Sequence, residues 1–177
     1  MRKLAVQVAV ACTLALPTVA PVAQEVPGVT KDTITIGSFG ALTGPNYLFG
    51  KIVMNGTEAV FDKVNAEGGV HGRKLVLLRE DDRCEPAAAI AAAKKLIFQD
   101  KVFALNGGGC SNASIAARDE VAQANVPWLV FASVHDGLTE PPLPTIFTTA
   151  NTAATESQAQ VEFALKSGAK KIAMVSM

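Results

Sequence analysis

"VFALNGGGCSNASIAARDEVAQANVPWLVFA" (Val102–Ala132) holds a strand, a bend, a helix and a second strand in that order. Val102 to Asn106 is a short apolar run that reads as a strand. Gly107, Gly108 and Gly109 form the bend, and Asn112 to Ala124 has helix-like composition. Pro127 to Ala132 is apolar again and reads as the next strand. Ser111 stands where a helix N-cap would, so N–H groups of the first turn should converge near its hydroxyl. Such a cradle suits a small anion. The plainer alternative is an ordinary serine cap, with the glycines serving only the turn.

The same alternation extends in both directions. "TITIGSF" (Thr33–Phe39) reads as a strand and leads into the loop Gly40–Gly50. From about Leu48 to Ala66, the residues Leu48, Phe49, Ile52, Val53, Ala59, Val60 and Val64 recur at helical spacing, and Gly68 and Gly69 end the helix. Lys74 to Glu80 is a strand, and Pro86 is well placed for the first turn of a helix that buries Ile90, Ala93, Leu96 and Ile97. Further on come a strand at Thr145–Thr149, a helix at Thr155–Ser167 and a strand in "KKIAMVSM" (Lys170–Met177). Helices alternating with apolar strands predict an α/β fold, a doubly wound parallel sheet with both faces covered. Ligands of such sheets bind at the carboxyl ends of the strands. That places Gly40–Gly50, Gly107–Ser114 and Ala132–Thr139 at the expected site.

The amino terminus reads as a secretory signal: Arg2 and Lys3, a largely apolar core from Leu4 to Leu16, then small residues and prolines, with cleavage placed after Ala23. Removing residues 1–23 from 177 leaves 154, enough for one well-buried domain. It also leaves 14 basic against 16 acidic residues, a net charge of −2, with no basic patch to hold nucleic acid. Cys12 departs with the signal, so Cys84 and Cys110 remain as a pair 26 residues apart in a disulfide-permissive compartment. Two free buried thiols are the alternative. The chain stops at Met177 in or just after its last strand, which leads us to expect a piece of something longer.

Catalytic readings fit poorly. The bend lacks G-x-S-x-G around Ser111, the Lys of a phosphate-binding loop, and the spacing of a dinucleotide fingerprint. A triad of Ser111, His135 and Asp136, or a Cys110–His135 dyad, would need neighbours in one loop to orient each other. Asp81 and Asp82 alone make a weak metal site. No cofactor and no metal is expected.

"IGSFGALTGPNYLFGKIVMNGTEAVFDKVNAEGGVHGRKLVLLREDDRCEPAAAIAAAKKLI" (Ile36–Ile97) resembles the amino-terminal lobe of periplasmic binding proteins that serve branched-chain amino acid ABC transporters. The resemblance rests on "LTGP…G…NG", "N-x-x-GGV-x-G-R-K-L", "DD-x-C-x-P", and "CS" after the third strand. It implies two α/β lobes closing on a ligand, with residues 30–149 as the first lobe and 150–177 as the hinge and start of an incomplete second. It also implies a disulfide between Cys84 and Cys110. Ser111, with Asn112 beside it, matches the serine whose hydroxyl and N–H hold the ligand carboxylate, and Phe49 matches the aromatic beside the ligand. Ser133, Val134 and His135 fall in the loop that completes the polar contacts. That loop, "ASVHDGLT", is one residue shorter than the family's and lacks its look, which leaves aromatic or aliphatic carboxylates open beside amino acids. The expected protein is a periplasmic solute-binding component of an importer whose partner is the transporter permease. The alternatives are a receptor's ligand-sensing domain or a truncated non-binding copy.

Overall fold

The computed structural model describes residues 25–173. The expected signal (1–23) and the end of the expected last strand (174–177) lie outside the described residues. The described residues form five strands and four α-helices, alternating except that β4 leads to β5 without an α-helix: β1 (Thr33–Gly40), α1 (Tyr47–Ala66), β2 (Lys74–Asp81), α2 (Pro86–Lys94), β3 (Ala104–Gly107), α3 (Ser111–Ala124), β4 (Trp128–Val130), β5 (Ile146–Thr148) and α4 (Ala153–Lys166). The strands form one sheet in the order β2-β1-β3-β4-β5, and every neighbouring pair is parallel.

Strand order reverses between β1 and β3. The chain leaves β1 toward one edge of the sheet and, after β3, travels toward the other. Right-handed crossovers then place α1 on one face and α3 on the opposite one. At this switch point the loops after β1 and β3 diverge and leave a crevice. The glycine bend of Gly107–Gly109 lies in one of those two loops.

The core lies between the sheet and α2 with α3. Phe39, Leu96, Leu105, Val121, Trp128, Val130 and Ile146 are buried there. Phe39 and Trp128 meet with ring centroids 5.2 Å apart, and the indole N–H donates to the Gly107 carbonyl at 3.2 Å. This anchors the start of the bend to the core from beneath. A single π-helical turn, Lys95–Gln99, extends α2 and keeps Leu96 and Ile97 in the core. The Lys95 ammonium on that turn pairs with Glu80 at 2.6 Å and Asp100 at 2.9 Å.

Several expectations are corrected. β3 begins at Ala104 rather than Val102, because the Val102 N–H is tied back to the Leu96 carbonyl at 3.1 Å. β4 and β5 are each three residues long, shorter than the apolar runs that announced them. α4 starts at Ala153, not Thr155, because the Thr152 side chain accepts the Thr155 N–H and caps the helix. Residues 170–173 form no strand. The sheet is also covered unevenly. Alternation along β4 and β5 buries Trp128, Val130 and Ile146 against the helices but leaves Leu129 and Phe147, register partners on the other face, 45% and 54% exposed.

Candidate functional site

The bend after β3 is shaped by what surrounds it. Gly108 has φ +91°, and a Cβ there would lie 2.8 Å from the Ser114 hydroxyl oxygen, so glycine is required on both counts. Its N–H donates to the Phe39 carbonyl at 3.0 Å, and its carbonyl accepts the Ser133 N–H at 3.1 Å. One glycine thus stitches the ends of β1, β3 and β4 together.

Cys110 follows in extended conformation and serves as the N-cap of α3, its carbonyl accepting the Ser114 N–H at 2.8 Å. A disulfide joins it to Cys84, with the Cα atoms 5.4 Å apart. Ser111 is therefore the first helical residue and not the cap predicted for it. The tether holds the residue before it in extended form, which moves the cap back by one position. Freed from capping, the Ser111 hydroxyl turns across the crevice. Its oxygen accepts the Ser133 hydroxyl at 3.2 Å and the Val134 N–H at 3.3 Å.

The other candidates separate in role. Phe49, on the first turn of α1, is 59% exposed and stands over Gly109, where an added Cβ would be 3.7 Å from its own. Phe49, Leu48, Ile52, Val53 and Ala132 line an apolar cavity of about 360 Å³. Gly50 behind them has no room for a side chain, because a Cβ would collide with the Ala41 backbone, so α1 packs tightly under the β1 loop. The Asn112 side-chain amide donates to the Cys84 carbonyl at 3.4 Å and accepts the Ala113 N–H at 2.9 Å. His135 is exposed, and its Nδ1 accepts the Gly137 N–H at 2.9 Å, closing a short 3₁₀ turn (Asp136–Leu138). Asp136 accepts the Ala154 N–H at 3.4 Å. His135 and Asp136 are thus each engaged with backbone rather than with each other.

Two acidic residues close the far side. Asp81 accepts the N–H groups of Leu42 at 2.8 Å, Thr43 at 3.3 Å and Arg83 at 3.0 Å, together with the Thr43 hydroxyl. Burial by itself would raise its pKa, but these donors outweigh that and hold it below the usual carboxylate range. Asp81 is thereby a strut for the loop after β1, a role the sequence did not disclose. Asp82 is fully buried, and its one engaged oxygen accepts the Cys84 N–H at 2.9 Å. Burial pushes its pKa up, the Cys84 N–H partly offsets this, and the Asp81 charge adds to the rise. Ser133 is 2% exposed, and its hydroxyl is bonded to that of Ser111. Nothing in the local sequence announces that pairing, which depends on loops 22 residues apart.

A parallel sheet of this order, with the Ser111 and Ser133 hydroxyls bonded between the loops after β3 and β4, defines an α/β lobe without a phosphate-binding loop. Comparison with known proteins places it more narrowly. Residues 33–177 match the model of a family described as periplasmic binding protein, and the chain belongs to that family. A Leu/Ile/Val-binding protein, BraC3, of Rhizobium johnstonii is 30% identical over 144 residues, covering 81% of this chain and 39% of that protein. A solute-binding protein of an ABC transporter from Rhodopseudomonas palustris, solved with 3,4-dihydroxybenzoic acid, is 31% identical with a TM-score of 0.70, covering 78% of this chain and 37% of that one. The branched-chain amino acid transporter substrate-binding protein LivJ of Streptococcus pneumoniae, solved with isoleucine, is 29% identical with a TM-score of 0.65, covering 68% of this chain and 34% of that one. The chain therefore spans well under half the length of these relatives. Among the described residues, no helix is long and apolar enough to cross a membrane.

Proposed function

We propose that this chain supplies the first lobe of a solute-binding component of an ABC importer, working in the periplasm with a transporter permease. Its ligand is a branched-chain amino acid or a related small carboxylate with an apolar body, and it performs no catalysis. In this reading residues 30–149 form the lobe and 150–177 begin the hinge and second lobe, after a signal at 1–23 is removed. Ser111, with Asn112 beside it, takes the ligand carboxylate, Phe49 lies against its apolar part, and Ser133, Val134 and His135 frame the loop opposite.

The observation that supports the proposal is that the Ser111 hydroxyl is bonded to Ser133 and Val134, the residues that directly follow Ala132, which lines the apolar cavity together with Phe49. A hydrogen bond to a charged acceptor contributes about 1.5–3 kcal/mol. Ser111→Ala should therefore weaken carboxylate binding about ten- to a hundredfold. One open crevice leaves much of the ligand in water and still costs about 4–15 kcal/mol of translational and rotational freedom, so the chain itself should bind in the millimolar range. Amide chemical-shift titration with benzoate reads that range directly. An unchanged titration curve in Ser111→Ala would remove Ser111 from the site.

A further inference from the structure

The face of the sheet that carries α1 is only partly covered. α1 packs on β1 and β2, and its Thr57 hydroxyl accepts the side-chain amide of Asn106 on β3 at 3.2 Å. Past that bond the face lies open. Asn106, Leu129 and Phe147 are register partners along β3, β4 and β5, and the last two are about half exposed. A groove of about 420 Å³ runs along the flank of α1, lined by Val53, Gly56, Thr57, Val60, Phe61 and Asn106, none of them charged.

The winding of the chain accounts for the gap. The β1–β2 connection runs toward one edge of the sheet and puts α1 on this face. Among the described residues, every later connection between strands runs the other way, so right-handed crossovers send α2 and α3 to the opposite face. A helix is about 10 Å across and strands lie about 4.8 Å apart, so β3 to β5 form a bed one helix wide. The exposed surface of α1 matches that bed. Gly50 and Met54 face the sheet, whereas Ile52 and Val60 are 64% and 59% exposed. Gly56, halfway along the helix, has open space where a Cβ would stand, which lets another helix backbone come close.

We infer that this face is a dimer interface between two copies of the chain. The α1 helices lie antiparallel and side by side about a twofold axis near Gly56, and each α1 rests on Leu129 and Phe147 of the partner subunit. One surface offers both the helix and the bed, so a single symmetric contact fills both grooves and closes the assembly at two. Half-exposed side chains of this size leave roughly 100 Å² each in water. Ile52, Val60, Leu129, Phe147 and the groove lining of both copies together remove on the order of 1,000 Å², where specific interfaces begin. Ser111 takes no part in this contact, so the carboxylate site and the dimer stand or fall separately.

The experiment is sedimentation equilibrium of the purified chain, with its concentration raised through the micromolar range. The mass should rise from one chain to two and stop there. Gly56→Lys puts a charge at the centre of the contact and should weaken association at least a hundredfold. Lysine is also a better helix former than glycine, so the dilute variant should melt no lower than the dilute parent. Phe147→Lys tests the bed independently of the helix and should weaken association as well, with dispersed amide spectra reporting that it is folded. A parent that stays monomeric throughout the range overturns the inference and leaves the groove to another occupant, further polypeptide or a different protein. Association that continues past two chains overturns it, as does a dimer that survives both substitutions.

Discussion

Replacing both Cys84 and Cys110 with alanine should lower the thermal stability of the folded chain by a predictable amount. The bridge closes a loop of 26 residues. In the chain-entropy model such a loop restricts the unfolded ensemble by about 3.5 kcal/mol at room temperature. For a domain of roughly 150 residues, each kcal/mol moves the midpoint by about 2–4 °C, so a loss near 10 °C is expected. The structure adds a local consequence. Cys110 caps α3, and its carbonyl accepts the Ser114 N–H, so removing the tether frees the first turn of the helix more than its middle. Hydrogen exchange should therefore quicken at Ser114 by more than at Val121, which is equally buried but lies two turns further along the same helix. The assay is circular dichroism on heating, with exchange followed by NMR on the same double variant. A midpoint within a degree or two of the parent would refute the entropic reasoning. Uniform acceleration along α3 would refute the local part.

Other perturbations follow from single contacts. Asp82 has its pKa raised above the ordinary 3.8, so the folded state holds its proton more tightly than the unfolded state, and its contribution to stability falls as pH rises through the window between those two values. Asp82→Asn should accordingly match the parent below that window and be the more stable protein at neutral pH, as read by melting temperature against pH; parallel curves at every pH would discard the assignment. Gly108→Ala forces a side chain into φ +91° and against the Ser114 hydroxyl, and should cost about 1–3 kcal/mol in urea unfolding. An unaltered midpoint for that variant would mean that the bend can relax.

The fold was legible because its signals are local. Strand β1 and helix α1 each announce themselves within their own residues, the first by alternating β-branched side chains and the second by apolar spacing and the paired glycines at its end. Gly68 and Gly69 have φ of +108° and +79°, as a glycine stop of this kind requires. The parallel order followed from the alternation of such elements. What stayed hidden was set by atoms far apart in sequence. The position of the α3 cap depends on the pull of Cys84, and the start of β3 depends on the carbonyl of Leu96. The exposed pair Leu129 and Phe147 illustrates the same limit, since an apolar strand reads alike whether one face or two are covered.

The site divides along the same line. Ser111 stood out because a serine after a glycine bend carries its meaning in residue type and place, whereas Phe49 entered only through the family resemblance. The Ser133 hydroxyl and the Asp81 strut did not stand out, because each matters through its partner rather than through its neighbours in sequence. Asp81 even suggested a different chemistry, that of a metal ligand. Its oxygens instead accept three N–H groups and the Thr43 hydroxyl, which leaves a carboxylate whose charge is already answered by donors of the β1 loop. The Asp81 carboxylate thus keeps its charge but spends its oxygens on the β1 loop, which is a physical reason why the carboxylate site proposed at Ser111 and a conspicuous aspartate pair can share one end of the sheet.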